Sequence, residues 1–144
     1  MDVKGDVDVK NENIITLTNE FFEFGSISGV FDCSWCSSLT SIEGAPKEVG
    51  VAFNCSHCLS LKSLEGAPNK INGSFSCTYC HNLISLNGAP KEVGRDFYCT
   101  GCSSLTSLEG APEKIKRNFY CFDCKSLKSI DIPSTTKIKG SIYK

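Results

Sequence analysis

The chain has 144 residues, enough for one domain of ordinary size or a short repeat array and too few for two full globular units. With 40% hydrophobic and 22% charged residues it reads as folded rather than disordered, and no apolar run reaches the length of a membrane span. A net charge of -1 argues against a dedicated nucleic-acid binder, and the charged opening MDVKGDVDVK is unlike a secretory signal, so the ten cysteines are expected in a reducing, cytoplasmic setting.

Taken in chain order, residues 1–26 read as an N-terminal cap, 27–130 as five coils of a repeat, and 131–144 as a C-terminal cap with an incomplete sixth strand. The cap segment NIITLTNEFFEFG mixes apolar and polar residues and is expected to cover the open end of the core. Charge is polarised along this order. Residues 1–30 carry six acids against two lysines, and residues 114–144 carry eight bases against two acids.

The repeat is 22 residues long and runs without insertion or deletion from Phe31 to Ile130. Five CxxC pairs begin at Cys33, Cys55, Cys77, Cys99 and Cys121, each two residues after a Phe. A Leu follows three residues after each pair, and an Ile or Leu three further on. The corner Gly44-Ala45-Pro46 recurs in three later units, and Val49, Ile71, Val93 and Ile115 close each unit. A unit so short cannot enclose a core alone and must stack on its neighbours. FxC has the two-residue period of a strand with one buried face, and the Gly-Ala-Pro corner forbids a continuous helix.

These features predict a mainly β, right-handed solenoid with one short parallel strand per coil, little helix and a convex side of turns. Five coils at roughly 4.8 Å give a sheet about 24 Å wide. The slot before the closing residue reads Glu48, Lys70, Glu92, Lys114, an alternation that a stacked ladder of neighbouring coils would favour. Past the fifth coil, Gly140-Ser141-Ile142 matches Gly73-Ser74-Phe75, which places Ile142 in a Phe slot. The edge of that last strand, Ile142 and Tyr143, is expected to be open or to pair with a second copy across a two-fold axis.

Phe53-Asn54-Cys55-Ser56-His57-Cys58-Leu59-Ser60-Leu61-Lys62-Ser63-Leu64 resembles the LxLxxN/CxLxxL segment of leucine-rich repeats. The SLEGAPKEV-like stretch is similar to a short-repeat variant of bacterial and bacteriophage proteins, and the resemblance spans about residues 27–142. It implies a solenoid whose sheet faces a partner. Its phage-type character implies a narrower role, an inhibitor of a host enzyme or defence complex in the host cytoplasm.

Taken alone, the spacing Cys33-x2-Cys36-x18-Cys55-x2-Cys58 suits zinc. Five pairs do not divide into four-cysteine sites, however, and each pair occupies the same strand-and-turn slot, so two ladders of reduced core thiols are expected. Zinc ligation and inter-coil disulfides are the alternatives. The invariant Ser41, Ser63, Ser85, Ser107 and Ser129 are expected to bond to turn backbone.

Slots that vary between coils are expected to face outward. They hold Asp32, Asn54, Tyr98 and Tyr120 between Phe and Cys, Phe122 after the first Cys, and Trp35, His57 and Tyr79 in the next position. Aromatic side chains on a rigid surface supply contact area at low entropic cost, so these eight residues are the predicted partner-binding set. No sequence motif assigns a catalytic residue, a metal or a cofactor. The resulting expectation is a non-enzymatic protein-binding module. A zinc protein, or nucleic-acid contact through Lys114, Lys116, Arg117, Lys125 and Lys128, is the alternative.

Overall fold

Each coil buries every second residue at two places, and both places are strands. The computed structural model describes residues 1–20 and 23–144. Phe21 and Phe22, part of the segment expected to cover the open core, lie outside the described residues. In chain order the strands begin with β1 (Val7–Asp8), β2 (Ser26–Ile27), β3 (Val30–Asp32), β4 (Glu48–Val49), β5 (Ala52–Asn54), β6 (Lys70–Ile71) and β7 (Ser74–Ser76). They continue with β8 (Glu92–Val93), β9 (Phe97–Tyr98), β10 (Lys114–Ile115), β11 (Phe119–Tyr120), β12 (Lys137–Ile138) and β13 (Ile142–Tyr143). Among the described residues there is no helix, and none is therefore long and apolar enough to cross a membrane.

The odd-numbered strands form a seven-stranded parallel sheet in the order β1-β3-β5-β7-β9-β11-β13, and the even-numbered strands form a six-stranded one. The predicted strand is the first of these. A second strand per coil was not anticipated: it lies at the closing Val or Ile, whose partner residue alternates exposed and buried over only two positions. A run that short carries no periodicity to read, and it becomes a strand because the coil below supplies its hydrogen bonds. The register is the expected one. Glu48 faces Lys70, Lys70 faces Glu92, and Glu92 faces Lys114 across adjacent coils.

Stacking turns each repeated slot into a column. Phe31, Phe53, Phe75, Phe97 and Phe119 are fully buried, with successive ring centroids 5.1–5.5 Å apart and planes within 15° of parallel. Burial of one such ring contributes about 1.5–3 kcal/mol, so this column is a principal source of cohesion. The Leu, Ile and Cys columns fill the rest of the interior. At the corners, the amides of Glu43, Glu65, Asn87 and Glu109 donate to Ser41, Ser63, Ser85 and Ser107 Oγ at 3.0–3.4 Å, while Ser129 donates to the Asp131 carboxylate. Four of the five invariant serines thus hold turn backbone and the fifth holds a side chain.

The N-terminal segment is itself a coil. Val7 pairs with Phe31 and Val3 bridges Ile27, a step of 24 residues rather than 22. Ile15 C=O accepts the Thr40 amide at 3.0 Å, as Ile84 accepts that of Thr106 at 3.1 Å, which aligns Ile14 with Leu39. The signal was present: Val3-x3-Val7-x-Val9 repeats the spacing of Ile27-x3-Phe31-x-Cys33. The altered step and the missing cysteines hid it. At the other end β13 pairs with β11, Ile142 opposite Phe119 and Tyr143 opposite Tyr120.

Candidate binding face

The chemistry of the outward surface follows from how each coil leaves its strand. After the first cysteine the chain must turn sharply for the second cysteine to point inward again. The residue at that bend adopts a left-handed conformation in every coil: Trp35, His57, Tyr79, Gly101 and Asp123 have φ between 54° and 70°. Asn11 of the N-terminal coil does the same, with φ 60°. Trp35, His57 and Tyr79 therefore stand on the turn beside the seven-stranded sheet rather than on its face, which corrects the strand reading. Backbone bonds to the next coil offset the strain of this conformation, with the amides of Trp35, His57 and Tyr79 donating to Ser56, Thr78 and Thr100 C=O at 2.8–2.9 Å.

The three rings form one row. Trp35 and His57 stack at 3.8 Å with planes 5° apart, and His57 meets Tyr79 at 4.9 Å. Trp35 is 55% exposed and Tyr79 37%. The row ends where Tyr79 leans over Gly101, whose missing side chain leaves the space the ring occupies. Burial between these rings holds the His57 imidazole below its ordinary pKa, and the nearby His81 adds to the effect.

A second row lies on the sheet itself. Tyr98 and Tyr120 stack at 4.7 Å and Tyr120 and Tyr143 at 4.8 Å, both with planes 9° apart. Phe122 sits 6.2 Å from both Tyr120 and Tyr143. Tyr143, predicted only as an edge residue, is thus the outer member of the tyrosine row, a placement that follows from Ile142 occupying a Phe slot.

Asp32 and Asn54 stand in the same outward slot but serve the turn. Asp32 Oδ1 accepts the Ser34 amide at 2.9 Å and Asn54 Oδ1 that of Ser56 at 3.1 Å, the local bond by which short polar side chains steady a bend. Between them and Tyr98 the face is lined by small residues. Ser56, Ser76 and Thr78 link their hydroxyls at 2.7 and 3.0 Å along the floor of a shallow depression of about 480 Å³, with His57 and Tyr98 at its sides.

The cysteines are all free and buried. The first thiol of each coil donates to a carbonyl of the next coil, as Cys55 does to Ser76 at 3.3 Å, and the second donates to the preceding coil, as Cys80 does to Cys55 at 3.2 Å. Hydrogen bonding from Cys80, with burial, pushes the Cys55 thiol well above its ordinary pKa. Among the described residues no group of three or more His, Cys, Asp or Glu side chains converges on a metal-sized site. Of the basic C-terminal residues, Lys114 and Lys116 lie 3.8 and 2.7 Å from the Glu92 carboxylate, and Arg117 lies 3.9 Å from Asp96. Lys125 and Lys128 border the open end of the core.

No protein-family model, curated protein or solved structure matches the chain.

Proposed function

We propose that this protein is a non-enzymatic binding module that presents two aromatic rows to a protein partner. The observation that carries this reading is the stacked row Tyr98–Tyr120–Tyr143 with Phe122 beside it, half-exposed on a sheet whose backbone is held by every neighbouring coil. Rings fixed in this way lose little entropy when a partner covers them, and exposed aromatics on a rigid scaffold are the usual centre of a protein interface. The turn row Trp35–His57–Tyr79 extends the surface toward the N-terminal coils. The narrower role of occluding a host enzyme draws on the resemblance to phage-type repeats and on the flatness of the face, which suits covering a site better than enclosing a substrate.

Affinity capture with the wild-type chain and with a Tyr98→Ala/Tyr120→Ala variant tests the reading. A specific partner should be lost from the variant, with affinity reduced about 100-fold if two hot-spot rings are removed. A partner retained equally by both would show that the interface lies elsewhere. Where the partner is an enzyme, stoichiometric inhibition by wild type and none by the variant is the expected result.

A further inference from the structure

The two ends of the solenoid are complementary in backbone, apolar spacing and charge, and they meet the aromatic face only at Tyr143 of the last strand. In the later coils the amide at the Phe position donates outward to the next coil: Phe97 to Asn118 C=O and Phe119 to Ser141 C=O, both at 2.9 Å. Ile142 holds that position in β13 and is 42% exposed. Its N–H and C=O therefore point away from β11, as at any unfilled parallel edge. At the opposite end the Val9 amide donates inward to Asp32 C=O at 2.8 Å, so the backbone groups of the adjacent Asp8 point outward. The apolar residues that continue both sheets have one spacing at the two ends, Val3 and Val7 against Ile138 and Ile142.

We propose that copies of this chain assemble head to tail, the first coil of one adding to the last strands of another so that both parallel sheets run on. In that register Val3 falls on Ile138, Val7 on Ile142, and Asp2 on Lys137. The Ile142 N–H meets the Asp6 C=O, and the Asp8 N–H meets the Ile142 C=O. The charges agree with this polarity, since the N-terminal 30 residues are acidic and the last 31 basic. A depression of about 460 Å³ at the C-terminal end, over Cys124, Leu127 and Ile130 and rimmed by lysines, comes to lie under the acidic first coil. Pairing two C-terminal ends about a two-fold axis would instead set lysine against lysine. A head-to-tail contact of this kind does not close on itself, so growth is open-ended.

Light scattering over a range of protein and salt concentrations tests the proposal. The mean mass should climb past that of a dimer with protein concentration. The apparent association constant should fall about tenfold between about 50 and about 500 mM salt as the opposed ends are screened. Ile142→Pro removes the outward amide but keeps the bonds to β11, which run through Ser141 and Tyr143 C=O. That variant should stay monomeric alone and, added in small amounts, should shorten wild-type assemblies by capping them. Lys137→Glu leaves the edge amides in place and should weaken association about tenfold by repulsion from Asp2. A wild-type mass that stays monomeric, that levels at a dimer unaffected by Ile142→Pro, or that salt leaves unchanged or raises would overturn the proposal.

Discussion

Gly88 shows at the scale of one residue why the corner of each coil is so constant. Its φ of +85° favours glycine, and a Cβ there would come within 2.5 Å of Glu65 Cα in the coil below. Gly5 has φ +108° but nothing within 4 Å, so it shares the conformational demand without the contact. Gly88→Ala is therefore expected to cost roughly 2–4 kcal/mol in thermal or denaturant unfolding, and Gly5→Ala about 1–2 kcal/mol. Equal losses would mean that close coil-to-coil approach is not what selects glycine. The thiols obey the same geometry: a small group able to donate to a neighbouring carbonyl fits between coils, and ten buried cysteines follow from that repeated space.

At the scale of an element, the turn row behaves as a unit because its rings are in face contact. Trp35 is the only tryptophan, and its stacking on His57 makes its fluorescence a direct reporter of that imidazole. The His57 pKa lies below the ordinary 6.5, chiefly through burial, so the fold favours the neutral ring. A group depressed in the folded state contributes stability that is present above its unfolded value and lost as pH falls through the folded one. Quenching of Trp35 by protonated His57 should then have its midpoint below 6.5, and stability should decline over the same acidic range. A His57→Gln variant should lose that titration, and a wild-type midpoint at or above 6.5 would contradict the packing of the row.

At the scale of the whole molecule, each coil touches only its neighbours, so coils are interchangeable units. Removing residues 56–77 takes out one full period and joins Cys55 to Thr78, which stands in the slot that Ser56 fills, so every later column keeps its register. That protein should still unfold cooperatively with a β-type spectrum, at reduced stability. Removing residues 56–66 breaks the register of every later column and should abolish folding. If both deletions fold alike, the columns do not hold the chain together.

Much of this was legible from residues alone because the array aligns itself: five copies show which slots tolerate no change. The Phe, Cys and Leu columns and the alternating charges at Glu48 to Lys114 follow from one period, and the match of Gly140-Ser141-Ile142 to Gly73-Ser74-Phe75 places Ile142 opposite Phe119 across a step of 23 residues. The second strand of each coil was not legible, because two residues such as Glu48–Val49 carry no pattern until a neighbouring backbone pairs with them. The turn position of Trp35, His57 and Tyr79 was hidden for a similar reason. Strand-like alternation continues in sequence through a bend that exists only because the second cysteine must face inward. The N-terminal coil is masked in the sequence because its step is 24 residues rather than 22 and it lacks the cysteines. Composition and spacing decide which side chains must be buried together, since apolar columns need a fixed period. The direction of each exposed ring, and the fit of one end to the other, depends on backbone bonds between coils that no single segment contains.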